Sequence, residues 1–200
     1  TALFRSRPLS CEEEPATVTT CRERVLASLN HRMPDRTPVD FGGHRSSGIA
    51  ALAYPKLRKV LGLEPRVVRV YDVLQQLAII DEDVLDRFHV DAIELGRGFS
   101  LTDDDWRDWT LPDGTPCKVP AWAVPERQDG QWILRATSGE ILAKMPDGAI
   151  YFEQCHWPFL EKDDLDRLPE ALGLNMWGGV ASPPGPLGSG PEGERRLTEG

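Results

Sequence analysis

The sequence predicts an α/β fold built on parallel strands and interrupted by an antiparallel segment. Three observations carry that prediction. Val39–Phe41 is a short run, apolar apart from Asp40, that Gly42-Gly43 closes; His44, Arg45, Ser46 and Ser47 follow, and Ile49 opens an amphipathic pattern. A second run, Val90-Asp-Ala-Ile-Glu-Leu95, follows two further helical patterns and is broken by Gly96 and Gly98. That is the β–α–α–β rhythm of a parallel sheet. After Ser100, short runs are separated by Asp113-Gly114, Ser138-Gly139 and Asp147-Gly148, and such dipeptides between runs signal hairpins.

Composition narrows the class. The chain has 200 residues, 40% hydrophobic and 28% charged, which is one domain or a piece of a larger one with enough apolar mass for a core. A net charge of −9 disfavours a nucleic-acid partner, which calls for a basic face. Apolar runs such as Leu77–Ile80 are far too short for a bilayer span. Arg5 and Arg7 lead into Cys11-Glu-Glu-Glu14, with no apolar core of a signal peptide, so a cytoplasmic protein is expected. Cys11, Cys21, Cys117 and Cys155 are widely spaced and read as reduced thiols.

Taken in order, residues 1–18 show no periodicity and read as a disordered leader. Residues 19–200 read as the folded part. Thr20 and Glu23 form a capping-box signature for a helix, with Val25, Leu26 and Leu29 on one face and Pro34 past its end. His31 reads as a solvated residue of the exit turn. After the strand Val39–Phe41, a helix is expected from about Ser47 to Leu61, with Leu57, Val60 and Leu61 inward and Gly62 past its end. Pro55 should kink or split it. Arg69–Ile80 reads as a second helical face, and Asp81 caps a third helix through Phe88. Val90–Leu95 is the second core strand. From about 105 to 153 an antiparallel insertion of about four strands is expected.

Cys155-His156 is the one adjacent Cys/His pair, and neighbours on an extended chain face opposite ways, a poor geometry for joint metal binding. Asp163, Asp164 and Asp166 flank a helical stretch that Pro169 interrupts, and Ala171 to Trp177 suggests another helix. Residues 182–193 read as a flexible loop. No closing element follows, so the chain reads as the opening portion of a larger unit.

The turn after Val39–Phe41 is the expected chemical surface, since ligands of β/α proteins meet the carboxyl ends of strands. A plain connecting loop with a capping serine is the alternative.

Several segments together resemble the uroporphyrinogen decarboxylase superfamily. They are Arg22-Glu-Arg-Val-Leu-Ala-Ser-Leu-Asn-His-Arg-Met-Pro-Asp-Arg-Thr-Pro-Val39, Asp40-Phe-Gly-Gly-His-Arg-Ser-Ser-Gly-Ile49, Val70-Tyr-Asp-Val-Leu-Gln-Gln-Leu77 and Glu82-Asp-Val-Leu-Asp-Arg-Phe-His-Val-Asp-Ala-Ile93. The resemblance covers about residues 20 to 100, and more weakly reaches 180. It implies a partial (β/α)8 TIM barrel carrying the antiparallel insertion. It also implies one of two activities. True decarboxylases remove carboxyl groups from a tetrapyrrole without a cofactor; corrinoid-linked members transfer methyl groups between a cobalamin or thiol carrier and a methylated substrate, using zinc.

The decarboxylase pattern carries two arginines for the porphyrinogen carboxylates, where a guanidinium fork suits bidentate pairing. Here Gly43 and a position near Ser47 stand in their place, and Arg45 is out of register. Glu94 is the nearest acid to the family's aspartate after the second strand. The acidic net charge also opposes a polycarboxylate substrate. The methyltransferase-like reading is therefore preferred, with decarboxylation in porphyrin biosynthesis or a fragment or binding module without activity of its own as alternatives. No cofactor is evident in this chain; zinc and a corrinoid are possible in the full-length protein, whose zinc ligands would lie beyond Gly200.

The candidate catalytic residues are His44, to exchange a proton with a substrate oxygen, Arg45, to hold an anionic substrate or corrinoid phosphate, and Glu94. Asp40, Ser46 and Ser47 are the candidate substrate-binding residues. His44 as a solvent-facing loop residue, and Arg45 paired with Asp40 or Glu94, are the plainer readings. The expected partner is a small molecule, to which the resemblance adds a corrinoid protein.

Overall fold

Helix α1 (Cys21–Leu29) starts where the capping box places it: the Thr20 side chain accepts the Glu23 N–H, and the Glu23 carboxylate accepts from the Thr20 backbone. Its buried residue, however, is Arg24, while Leu26 and Leu29 are 40% and 70% exposed. An ion-paired arginine, not an apolar stripe, docks this helix. The structure, a computed structural model, describes residues 19–94, 102–136, 138–160 and 168–179. The expected leader 1–18, Leu95 with Gly96 and Gly98, the acids Asp163, Asp164 and Asp166, the loop 182–193 and the end of the chain lie outside the described residues.

The helix expected from Ser47 is much shorter. Arg45–Ser47 forms one 3-10 turn, Ile49–Ala50 is strand β1, and helix α2 spans Tyr54–Val60. Pro55 sits in the first turn of α2, where its missing N–H leaves no bond unmade, so it starts the helix and does not kink it. Gly62, with φ +71°, ends it: the Gly62 N–H donates to Lys59 O and the Leu63 N–H to Arg58 O, the two crossed bonds of a Schellman cap. Val60, expected inward, is 84% exposed.

Arg69–Ile80 is not a helix. Val68–Asp72 is strand β2 and Leu77–Ala78 is strand β3, paired antiparallel. Val68, Val70 and Asp72 are buried and Arg69 is exposed, a period of two that β-branched residues favour. The Asp72 carboxylate accepts the Gln75 N–H and Gln76 takes φ +54°, so the turn between the strands is built by local side-chain bonding. Helix α3 (Glu82–Arg87) follows Asp81, whose carboxylate does not cap it but accepts from Arg58 Nη1 at 2.9 Å and the Tyr54 hydroxyl at 2.7 Å.

The segment expected as a four-stranded insertion holds six strands: β4 (Trp106–Thr110), β5 (Pro116–Pro120), β6 (Glu126–Gln128), β7 (Gln131–Arg135), β8 (Ile141–Pro146) and β9 (Glu153–Gln154). It does not stand apart. Strand β5 pairs in parallel with β2, Val68 opposite Cys117, so one five-stranded sheet runs β1-β3-β2-β5-β4; the second runs β6-β7-β8-β9. The short helices α4 (Leu168–Gly173) and α5 (Met176–Gly179) follow.

The expected (β/α)8 barrel is therefore overturned. A barrel needs parallel neighbours joined by helices. Among the described residues the parallel pairings are β2 with β5 and a single bridge between Asp40 and Ala92, and the longest helix has nine residues. The chain is a mostly β fold with two largely antiparallel sheets and few, short helices. Val39 and Asp91 do run side by side in the expected direction, with the Asp91 N–H on Val39 O at 2.8 Å, but as an isolated bridge, not two core strands.

One buried cluster spans both sheets, including Val70 and Val119 from the first and Leu134, Leu142 and Met145 from the second. Trp109 meets the Trp132 ring edge-on at 5.3 Å, stitching β4 to β7. Among the described residues no helix is long and apolar enough to cross a membrane.

Candidate functional site

Asp91 organises the ground on which the site stands. Its side chain has no exposed surface, and it accepts from Arg24 Nη1, from Arg36 Nη1 at 2.6 Å and Nη2 at 3.1 Å, and from the Val39 N–H at 2.8 Å. Arg24 spends its other nitrogens on Asp35, at 2.7 and 2.9 Å, and on Thr19 O. Burial pushes the Asp91 carboxyl up, but the Val39 N–H and the Arg36 and Arg24 guanidiniums outweigh it and hold the group well below the usual carboxylate range. The Pro-Asp-Arg-Thr-Pro-Val stretch is thus clamped to the Asp40–Ala92 bridge.

The turn after that bridge is self-supporting. Asp40 Oδ1 accepts the Gly43 N–H at 2.8 Å and the Ser47 hydroxyl at 2.9 Å, and Ser47 Oγ accepts the His44 N–H at 3.1 Å. His44 is exposed, with Nδ1 3.2 Å from the Ser46 N–H and from Ser46 Oγ. Asp40, His44, Ser46 and Ser47 therefore lie together, with their polar atoms turned on one another. Gly42 makes the turn possible: at φ +90°, an added Cβ would lie 2.8 Å from Ile80 Cδ1.

Arg45 points elsewhere. Its Nε lies 2.8 Å from Asp72 Oδ2, a carboxylate with no exposed surface, and its guanidinium stacks over the Trp177 ring at 5.3 Å. The pairing with Asp40 or Glu94 weighed from sequence is replaced by Asp72, which no helical reading of Arg69–Ile80 could have singled out. Arg45 still acts on Glu94 through space. Burial raises the Glu94 carboxyl, Arg45 and His44 pull it down, Asp72 pushes it up, and burial prevails. Four of these groups, His44, Arg45, Asp72 and Glu94, thus share one electrostatic neighbourhood.

Tyr71 completes it. Its hydroxyl is enclosed and has no hydrogen-bond partner among the described residues. Burial pushes it up to about 12, with Glu94 and Asp72 adding to the rise. Tyr71 and Glu94 line a cavity of about 790 Å³ whose other walls include Phe41, Ile80, Leu85 and Ile93. That volume suits a small molecule, and an apolar cavity with a few convergent polar groups is the usual form of a ligand site. Sequence reasoning missed Tyr71 and Asp72 because Val70, Val73, Leu74 and Leu77 also fit a helical period. The alternation of Val68, Val70 and Asp72 with exposed Arg69 was the available signal.

Among the described residues no three His, Cys, Asp or Glu side chains converge as metal ligands. Cys155 Sγ instead lies 3.5 Å from Ile141 O, and burial raises its thiol. These residues do not fit a zinc ion. Comparison with protein-family models, with curated proteins and with solved structures gives no match for this chain.

Proposed function

We propose that this chain supplies the substrate cavity of an enzyme acting on a small organic molecule by methyl transfer, the chemistry of the corrinoid-linked branch that residues 20 to 100 resemble. One observation carries the reading: a partly buried carboxyl, Glu94, whose proton affinity burial raises, in the wall of a 790 Å³ cavity that Tyr71 also lines. A carboxyl whose proton affinity burial raises is suited to pass a proton to a departing heteroatom. In this reaction a bond from the methyl carbon to its heteroatom breaks and a bond from that carbon to the acceptor forms. The acceptor is a thiol or corrinoid carrier outside the described residues. The electron pair stays on the heteroatom, which then takes the proton of Glu94, while Tyr71 orients the substrate. No step is assigned to zinc. A cytoplasmic setting, with its reduced cysteines, accords with this reading.

Decarboxylation of a polycarboxylate fits the cavity less well, because Arg24 and Arg36 on its wall already bind Asp91. The test incubates the protein with N-, O- and S-methyl donors and a reduced corrinoid or thiol, and follows the methylated acceptor by mass spectrometry. A methylated acceptor lost in Glu94→Gln supports the reading. Release of carbon dioxide from uroporphyrinogen, with no methylated acceptor, overturns it.

A further inference from the structure

We infer that the cavity takes an organic cation, a small ammonium compound with an apolar body, in preference to an anion of the same shape. This rests on the small-molecule reading above and narrows its substrate class.

The charges on the walls decide the sign. Two arginines line the cavity, and both are committed. Arg24 binds Asp35, Asp91 and Thr19 O. Arg36 binds Asp91 through both terminal nitrogens, and also Thr37 O and His89 O. A carboxylate or phosphate entering the cavity finds those donors spent, and would have to break a buried pair to reach them.

The acids are the reverse case. Glu82 and Asp86 stand one helical turn apart on α3, and both line the cavity. Neither carboxylate accepts a hydrogen bond from a described residue. The cavity thus offers uncompensated negative charge.

The apolar walls fit the body of the same ligand. The Phe41 and Tyr71 rings line the cavity with Ile79, Ile80, Leu85 and Ile93. Aromatic faces attract ammonium groups, most where water is excluded.

The test compares three probes of one shape: choline, neutral 3,3-dimethylbutan-1-ol and anionic 3,3-dimethylbutanoate. Binding is measured by calorimetry at pH 8. Protection of Cys21, an exposed thiol on the same wall, from alkylation gives a second readout. Choline is expected to bind about tenfold more tightly than the alcohol, and the anion most weakly. Glu82→Gln and Asp86→Asn, both on an exposed helix face, are each expected to weaken choline about threefold or more while leaving the alcohol unchanged. The inference is overturned if the anion binds as tightly as choline, if the three probes are equal, if none binds, or if neither variant affects choline. Methyl transfer is assayed separately, so loss of that activity reading leaves the charge preference to stand or fall by these affinities.

Discussion

Replacing Asp91 with Asn removes one charge from the most enclosed ion cluster of the site. Asn keeps the shape but loses an anion that receives Arg24, Arg36 and the Val39 N–H, while its amide turns hydrogens toward a guanidinium. Breaking a buried pair by removing one partner costs about 3–5 kcal/mol. The lower end applies, about 3 kcal/mol, because Asp35 still binds Arg24 and Arg36 is 37% exposed and reaches water. In urea, with a slope of about 2 kcal/mol per molar for a domain of this size, the midpoint should fall by about 1.5 M. The pH dependence has a definite sign. Asp91 is depressed in the folded chain, so its contribution is fully present above the unfolded value of about 3.9 and is lost as pH falls below it through the folded value. Urea titrations of both proteins between pH 7 and pH 3 measure this, and the gap between them should narrow at the acid end. A midpoint shift below about 0.5 M at pH 7, or a gap that widens in acid, would refute the role given to Asp91.

Other changes follow from single contacts. Tyr71→Phe deletes an enclosed hydroxyl with no partner among the described residues, so stability should hold or rise by up to about 1 kcal/mol, measured by urea unfolding. Gly42→Ala puts a Cβ 2.8 Å from Ile80 Cδ1 at φ +90° and should cost about 1–3 kcal/mol, read as a drop in thermal midpoint. Cys117 is 2% exposed with its thiol pushed up to about 12 by burial, whereas Cys21 is exposed. Mass spectrometry after brief alkylation should therefore find Cys21 labelled and Cys117 unlabelled until urea is added.

Local signals in the sequence were legible where the physics is local. The capping box at Thr20, the stop at Gly62 and the turns at Asp113-Gly114 and Ser138-Gly139 depend on neighbours in the chain, and each is where its residues put it. Period was misleading where apolar residues satisfy both repeats. Val70, Val73, Leu74 and Leu77 fit a helix as well as a hairpin, and pairing with β5, over forty residues away, decides for strand. That error carried the barrel with it, since removing the helix between the two apolar runs removes the βαβ unit. For the site, the turn was located but its roles were redistributed. Asp40, Ser46 and Ser47 hold the loop, Arg45 turns to Asp72, and only Glu94 faces the cavity. Ion pairs such as Arg24 with Asp91, 67 residues apart, leave no trace in local spacing.

The most direct measurement of the central claim is a crystal structure of the protein soaked with a trimethylammonium compound. The expected result is the cation in the cavity between Tyr71 and the carboxylates of Glu82 and Asp86, with the Arg24–Asp91–Arg36 pairs intact. An empty cavity, or an anion from the solution seated against Arg24 and Arg36 in its place, would contradict it.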